Sequence, residues 1–363
     1  MIKVLWVAHE GNYSGANIAM IEYIKKLKDE YISVVVLPHC GNMQGVLEGE
    51  GINYVIIPHY NWAKPMHWWQ IIKWSKILIR SIVALRAFNM LITKKQIDLV
   101  FTNTILPYIG SVSALIKKKP HSWFIHEFGF EDFGFKIGWS RENLACRWMQ
   151  KSSKLIVCNS YAVAAKFSKM MPSANLQVIY QPVTWKMESK LIKEQWDFLM
   201  FGQIVDSKGH MEVLEALKKT KEKGFAAPTL HIIGTSDDKQ YYQKLKDFIL
   251  ENALGDKVSI YPGFYDKEKI IPAYKYLIVA SKSEAFGRVI IEAQKAGKGV
   301  IVRNSGGAVE LVDCSNGIKY DNAEHLERIL SSPKNISFLG GKTIYDEDAE
   351  IIRLKKYLKS LVD

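Results

Sequence analysis

Residues 281–297, SKSEAFGRVIIEAQKAG, hold two glutamates, Glu284 and Glu292, separated by seven residues. The apolar run at 276–280 before them predicts a buried strand, and the apolar residues after them recur at helical spacing as far as Gly297. Glu284 is therefore predicted in the loop between strand and helix, with Glu292 about two turns further on. Two carboxylates at a strand end can accept hydrogen bonds from a bound ligand.

The start of this helix is a suitable place for an anionic group. Its first backbone N–H groups have no partner within the helix, and the positive end of the helix dipole favours a phosphate. Gly287 has no side chain to block close approach. Carboxylates would repel a bare phosphate but would accept hydrogen bonds from hydroxyl groups, so a nucleotide sugar meets both conditions. The alternative is a surface helix with two solvated glutamates.

The elements around this stretch predict a parallel α/β unit. A strand at 299–303 follows the helix, and a glycine turn at 304–310 follows the strand. Ligands of such units bind at the carboxyl ends of the strands. The chain also begins with a strand, a turn containing Gly15 and a helix. This turn lacks the G-x-G-x-x-G dinucleotide fingerprint, which argues against an ordinary NAD site.

The block from Ser283 to Glu292, with Gly297 and the GGAVE run at 306–310, resembles the signature of the retaining glycosyltransferases of family 4. That family has a Glu-x7-Glu motif and the α/β fold called GT-B. The resemblance implies two Rossmann-like β/α/β domains that face each other across a deep cleft. It also implies that Glu284 and the backbone after it hold the donor sugar, and that Glu292 binds the ribose of the nucleotide.

The resemblance assigns further residues by position. Lys208, just before a helix, is expected to meet the diphosphate leaving group, and His126, at a strand end, is expected near the transferred sugar. A lone histidine there is also compatible with a structural role. With Glu284 these are the expected catalytic residues. The expected donor-binding residues are Gly15, Gln203, Gly234, Gly263, Phe264, Phe286, Gly287, Arg288, Val289 and Glu292. A tight turn that needs a glycine is the alternative for Gly15.

One position departs from the family pattern. Five residues before the lysine the family usually has an arginine, whereas this chain has Gln203. A neutral amide cannot replace the charge of that arginine in a diphosphate clamp. Arg288 and Arg303 are candidates to supply it.

Length and composition limit the number of domains and the kind of partner. A chain of 363 residues has room for two domains, predicted at 1–185 for the acceptor and 186–345 for the nucleotide sugar. The helix in 346–363 is expected to cross back to the first domain, as in GT-B proteins. The formal net charge of +12 indicates an anionic partner.

Cysteine spacing and hydropathy argue against several classes of protein. The four cysteines lie far apart and show no zinc or redox spacing, which fits a reducing compartment. The first apolar run is too short for a signal peptide, and no uncharged apolar run approaches the length of a membrane span. We see no carboxylate or histidine cluster for a metal and expect no cofactor. The predicted location is cytoplasmic, at the inner face of a membrane.

Residues 51–97 contain no Asp or Glu but seven Lys and Arg residues, with tryptophans at 62, 68, 69 and 74. The part from Met66 to about Thr93 is predicted as an amphipathic helix. Basic residues with aromatic residues at one end are typical of an interfacial membrane helix. We therefore predict an anionic membrane contact through 62–95. The alternative is an ordinary packed helix; no nucleic-acid motif accompanies the basic residues.

The sequence thus predicts a metal-independent, retaining glycosyltransferase with a UDP- or GDP-linked donor. Its expected acceptor is a glycan or a lipid-linked glycan. Two alternatives stay open because of Gln203: a non-catalytic membrane-associated partner in a glycan-assembly complex, and a nucleotide-sugar epimerase or hydrolase of the same fold.

Overall fold

The computed structural model describes residues 1–63, 71–185, 194–332 and 343–362, with the backbone alone at 71–74. The chain divides into two compact units, one formed by Met1–Pro182 with Asp346–Asp363 and the other by Val183–Tyr345.

The first unit contains strands β1 (Ile2–Val7), β2 (Tyr31–Leu37), β3 (Asn53–Ile56), β4 (Leu99–Asn103), β5 (His121–Ile125), β6 (Leu155–Cys158) and β7 (Leu176–Val178). Strands of the second unit are β8 (Trp196–Phe201), β9 (Leu230–Gly234), β10 (Val258–Pro262), β11 (Tyr274–Val279), β12 (Gly299–Arg303) and β13 (Gly317–Tyr320). The first unit's helices up to the boundary are α1 (Gly15–Leu27), α2 (Met43–Gly49), α3 (Ile71–Lys95), α4 (Ile109–Ile116), α5 (Phe130–Phe133), α6 (Glu142–Ser152) and α7 (Tyr161–Met170). They are followed by α8 (His210–Glu222), α9 (Lys239–Glu251), α10 (Lys267–Ile270), α11 (Arg288–Lys295) and α12 (Ala323–Ser331) in the second unit, and by α13 (Glu347–Val362) in the first.

Each unit is built on one parallel sheet. The first sheet has the order β3-β2-β1-β4-β5-β6-β7, and the second has the order β10-β9-β8-β11-β12-β13. All strand pairs with a recorded register are parallel, which confirms the α/β fold class. In both sheets the order reverses beside the first strand of the unit. In open parallel sheets ligands bind outside the carboxyl ends of the strands at such a reversal.

The final helix packs into the core of the first unit. Ile351, Leu354, Leu358 and Leu361 recur at helical spacing and are buried in the same cluster as strands β1, β2 and β4. The hydroxyl of Tyr31 donates a hydrogen bond of 3.1 Å to the carbonyl oxygen of a residue in this helix, Lys355. The C-terminal segment is therefore part of the first unit in space, although it follows the second unit in sequence.

The basic segment forms α3, which presents one buried side and one exposed side. Ala84, Phe88 and Ile92 are buried against the sheet, whereas Leu78, Ile79 and Val83 are about 60% exposed. Predictions for Lys64, Met66, Trp68 and Trp69, and for the side chains of Lys73 and Trp74, lie outside the described residues. In the described part of the chain, no helix has the length and apolar content needed to span a membrane.

Trp62 corrects one detail of the membrane interpretation. This residue is 6% exposed, and its indole Nε1 donates a hydrogen bond of 2.7 Å to the carbonyl oxygen of Ile105. Its ring stacks on Trp123 and Tyr108. The side chain fills the core of the first unit and cannot belong to a docking face.

Candidate functional site

In the second unit, Glu284 lies in the loop between β11 and α11. Its carboxylate Oε2 is 2.8 Å from Nζ of Lys208 and accepts a hydrogen bond of 3.0 Å from Oγ of Ser281. Its carbonyl oxygen accepts from the N–H of Gly307 at 2.6 Å, which ties the loop to the turn after β12. The side chain of Glu284 is 18% exposed. A charged carboxylate is thus held in one position with part of its surface open.

The loop after β8 places Lys208 beside this carboxylate. Gly209 follows the lysine with φ +73° and immediately precedes helix α8; a Cβ there would lie 2.1 Å from the carbonyl oxygen of Ala280. Only glycine allows the loop to approach the end of β11 this closely. The N–H of Lys282 donates to the carbonyl oxygen of Ser207 at 3.0 Å, which joins the two loops. The predicted proximity of Lys208 to the glutamate loop therefore has a backbone cause.

The N-terminus of α11 follows Glu284 directly. Gly287 precedes the first helical residue, with φ +93° in the left-handed region, and a Cβ there would lie 2.7 Å from Cδ1 of Ile290. A side chain at this position is therefore disfavoured by both the backbone conformation and the available space. The start of this helix lies beside a carboxylate and an ammonium group, and the positive end of the helix dipole favours an anion. This arrangement suits a ligand that carries phosphate and hydroxyl groups.

Glu292 lies inside α11 and is buried, with 4% of its side chain exposed. Nζ of Lys267 contacts its Oε1. The ammonium group belongs to the first residue of α10, on the segment that follows β10. The second glutamate of the motif therefore has its own cation, which the sequence did not indicate.

The other predicted donor-binding residues are spread over the carboxyl ends of the same sheet. Gly234 ends β9 and its carbonyl oxygen accepts from the N–H of Gly263 at 2.8 Å, just after β10. Phe264 is 79% exposed, whereas Phe286 is 2% exposed and its ring packs against Tyr345. The ring of Phe286 is therefore part of the packing of the second unit. Gln203 is exposed, and Arg288 and Val289, the first two residues of α11, are half-buried.

Arg303, one candidate to replace the missing arginine, already forms an ion pair. Nη1 of Arg303 contacts Oε2 of Glu212, and both side chains are more than half buried. Moving this arginine to a diphosphate would leave the Glu212 carboxylate, whose pKa burial already raises, without its cation. Arg303 is therefore a poor substitute for a charge at position 203.

In the first unit, His126 follows β5 and is buried, with both ring nitrogens engaged by amide groups. Its Nε2 lies 2.7 Å from Oδ1 of Asn103, and its Nδ1 lies 2.7 Å from Nε2 of Gln181. Its carbonyl oxygen accepts a hydrogen bond of 3.0 Å from Asn159. These partners come from the ends of β4, β6 and β7, so the histidine is fixed at the centre of the sheet's carboxyl edge.

The carbonyl oxygen of Ala16 determines which nitrogen of His126 carries the proton. This carbonyl can only accept, and it lies 3.1 Å from Nδ2 of Asn103, so Oδ1 of that amide must face the ring. Nε2 of His126 therefore donates, and Nδ1 accepts from Gln181. The side-chain amide of Asn17 is the last group in this series of hydrogen bonds. It donates to two further carbonyl oxygens and presents its Oδ1 to Asn103. The ring is held in one orientation, with Nε2 as the donor to Asn103.

Glu127 braces the ends of two strands beside this histidine. Its Oε1 accepts from the N–H of Ile105 at 2.8 Å, and its Oε2 accepts from the N–H of His126 at 3.1 Å. Burial raises the pKa of Glu127 to about 8, against the effect of both hydrogen bonds. The carboxyl group therefore holds the strand ends together and retains its proton near neutral pH.

Gly15 is the first residue of α1, and Oγ of Ser14 accepts from the N–H of Asn17 to cap that helix. Within the described part of the chain, a Cβ at Gly15 would meet no atom within 4 Å, and its φ is not in the positive range. Neither backbone conformation nor packing requires a glycine here. This observation weakens the tight-turn alternative and favours the hypothesis that the bare N–H serves a ligand.

Four residues of the two sites were missed from the sequence: Ser281, Lys267, Asn103 and Gln181. Ser281 was accessible in principle, because it lies three residues before Glu284 in the same predicted loop. The other three meet their partners across 23 to 55 residues of sequence, and no local pattern predicts such a contact. Among the residues that the structure describes, no group of three His, Cys, Asp or Glu is placed to hold a metal ion.

Two family models match the chain, and together they take in most of it. The model described as Glycosyltransferase Family 4 matches residues 13–184, and the model described as Glycosyl transferases group 1 matches residues 184–333. An uncharacterized glycosyltransferase of Methanocaldococcus jannaschii, MJ1178, is 25% identical over 236 residues, which are 63% of this chain and 62% of that protein. A 41.2 kDa protein in the cps region of Klebsiella pneumoniae is 27% identical over 51% of this chain. The chain thus aligns with less than two thirds of either relative, 62% and 53% of their lengths.

Solved structures match over nearly the whole chain. Anabaena HepE in complex with UDP and glucose has a TM-score of 0.78 at 20% identity, covering 99% of this chain and 100% of that one. A glycosyltransferase from Rickettsia africae has a TM-score of 0.79 at 20% identity, covering 100% of this chain and 99% of that one. At these identities the similarity shows the fold.

Proposed function

Because the chain belongs to the group 1, family 4 glycosyltransferases and has their GT-B fold, we propose that it transfers a sugar from a nucleotide-sugar donor to a glycan acceptor. The observation that carries this proposal is Glu284, which is fixed by Lys208 and Ser281 beside the N-terminus of α11. A hydroxyl-rich anion is the ligand that satisfies both the carboxylate and the helix start.

Electrostatic stabilisation carries the proposed mechanism. When the bond between sugar and diphosphate breaks, negative charge collects on the diphosphate and positive charge develops on the sugar ring. Lys208 and the positive end of the helix α11 stabilise the leaving group, and Glu284 holds the sugar hydroxyls. Charges placed before the reaction stabilise the transition state without further reorganisation. The product keeps the anomeric configuration of the donor, as in the family.

His126 has a positioning role in this proposal. A general base needs a nitrogen free to take a proton, but both ring nitrogens of this residue are engaged by Asn103 and Gln181. The locked imidazole instead holds the strand ends around it in place, through its bonds to Asn103 and Gln181.

We infer a hexose-type sugar on a uridine nucleotide as the donor, because a structural relative was solved with UDP and glucose. A thermal-shift panel of UDP, GDP, ADP and their sugars tests this inference, since bound ligand raises apparent stability by mass action. The expected result is a shift with UDP and a UDP-hexose. Donor consumption is then expected only when a glycan acceptor is added. Consumption without acceptor supports a hydrolase or epimerase, and binding without consumption supports a non-catalytic partner.

The acceptor is proposed to be lipid-linked, because α3 has the properties of a membrane-docking face. Leu78, Ile79, Ile82 and Val83 are exposed on this helix, and Lys76, Arg80 and Arg86 are exposed on it as well. Apolar side chains next to basic ones insert into a headgroup region while the cations meet anionic lipid. Each cation near such a surface contributes about 1 kcal/mol.

Sedimentation with liposomes tests the docking face. The protein is expected to pellet with vesicles that contain anionic lipid at low salt, and to remain in the supernatant at high salt. The double variant Ile79→Ser/Val83→Ser is expected to pellet several times less. Leu250→Ser is a matched control, because this leucine is 82% exposed on the second unit, and it is expected to pellet like the wild type. If the three proteins pellet equally, or if none of them pellets, the docking proposal is wrong.

A further inference from the structure

The second glutamate of the site has a cation that the family signature does not contain. Lys267 contacts Glu292 from the start of α10, across 25 residues of sequence. The glutamate side chain is 4% exposed and the lysine side chain 27% exposed. A carboxylate buried this deeply remains charged only when a cation or several donors face it. The lysine is therefore part of the site's electrostatics, and one side of it is open.

With this pair, both glutamates of the motif have a lysine. Glu284 is paired with Lys208, and Glu292 is paired with Lys267. Each pair sums to zero charge, so each glutamate has a cation beside it before a ligand arrives. If Lys267 were a neutral residue, a buried negative charge would stand beside the place where a diphosphate must bind, and the repulsion would weaken binding.

We propose that Lys267 is a donor-binding residue, which holds the Glu292 carboxylate for the ribose hydroxyls and directs its own charge to the phosphate nearest the ribose. This inference rests on the proposed function. An ammonium group has three N–H donors, so Lys267 can keep one hydrogen bond to Glu292 and give another to a phosphate oxygen. It supplies the positive charge that Gln203 cannot supply.

A purely structural role would also produce the observed pair. In that case the lysine would only fasten α10 to α11, and its loss would lower the affinity for every ligand of the nucleotide pocket alike. The two roles differ in one respect that can be measured. A phosphate-directed charge affects nucleoside diphosphates and leaves nucleosides, which have no phosphate, largely unaffected.

The test compares UDP with uridine in calorimetric titrations of the full chain. Lys267→Gln removes the charge but keeps an N–H donor for Glu292. Its affinity for UDP is expected to fall about tenfold or more, as for the loss of one hydrogen bond between charged groups, with the affinity for uridine within about twofold of the wild type. UDP binding by the variant is also expected to weaken less as salt is added. If the panel above selects GDP, GDP and guanosine replace the uridine pair.

Two further variants serve as controls. Lys267→Arg keeps the charge and is expected to bind UDP within about threefold of the wild type, since guanidinium also binds phosphate. Lys269→Gln removes a cation two residues along the chain that is 68% exposed and lies 3.5 Å from Asp266. It is expected to bind both ligands like the wild type.

The outcomes separate this inference from the proposed function. A wild type that binds none of the nucleoside diphosphates contradicts the proposed function itself. The role of Lys267 alone is overturned in two cases, both with a wild type that binds UDP. In the first, Lys267→Gln binds UDP as tightly as the wild type; in the second, it loses affinity for UDP and uridine in parallel. If Lys267→Gln does not fold, Glu292→Gln and the double variant Lys267→Gln/Glu292→Gln are compared instead. Neither leaves an unpaired buried carboxylate at position 292, and the same selective loss of UDP is expected in the double variant.

Discussion

Replacing Glu284 with alanine is expected to lower the rate of sugar transfer at least about a hundredfold, the loss typical for a preorganised group at a reacting centre. The carboxylate is held by Lys208 and Ser281 at the start of α11, so it is in place before the donor binds. Its removal takes away the acceptor for the sugar hydroxyls and frees the lysine. The measurement is the initial rate of acceptor-dependent release of nucleoside diphosphate at saturating donor.

Loss of the fold would not explain such a result. The pair of Glu284 and Lys208 is partly exposed, so its loss costs about 1 kcal/mol or less. The variant is expected to unfold within a few degrees of the wild type. Glu251→Ala, on the exposed end of α9, is the matched control and is expected to retain full activity. A Glu284→Ala protein with the wild-type rate would contradict the role of this carboxylate.

Replacing Lys208 with methionine is expected to reduce kcat about a hundredfold to a thousandfold, because negative charge that develops on the leaving diphosphate loses its nearest cation. Methionine keeps the length and apolar stem of the side chain. Lys208→Arg retains the charge and is expected to recover a part of the rate, limited by the different shape of the guanidinium group. Steady-state kinetics over a range of donor concentrations separate kcat from KM.

The charge at position 208, rather than the overall charge of the protein, is what this variant tests. Lys219→Met removes an exposed cation from α8, the helix that follows the same loop, and is expected to leave kcat unchanged. The assignment fails if Lys208→Met and Lys219→Met have the same kcat.

The regular elements of both sheets could be predicted from the sequence. Strand β12 has the predicted bounds, 299–303, because a continuous apolar run ends at polar residues. The cap of α7 is equally local, since Oγ of Ser160 accepts from the N–H of Val163 at 3.1 Å. These features depend on residues that are close in sequence, and local patterns therefore indicate them.

Strand ends and long-range contacts could not be predicted in this way. Strand β5 ends at Ile125, because the N–H of the next residue, His126, is bound by the carboxyl group of Glu127. The contact of Lys267 with Glu292 depends on which strand ends are neighbours in the folded sheet. The role of Trp62 also depends on packing. Its position in the basic segment predicted a membrane contact, whereas the folded first unit buries it in the core.

The most direct test of the central claim is a pair of titrations with the nucleotide sugar and the nucleoside diphosphate selected by the panel. Wild-type protein is expected to bind both ligands. Glu284→Ala is expected to bind the diphosphate with the affinity of the wild type, whereas its affinity for the nucleotide sugar is expected to fall about tenfold or more, as for the loss of a charged hydrogen-bond acceptor. If the wild type binds neither ligand, or the variant binds the nucleotide sugar as tightly as the wild type, Glu284 does not hold a donor sugar.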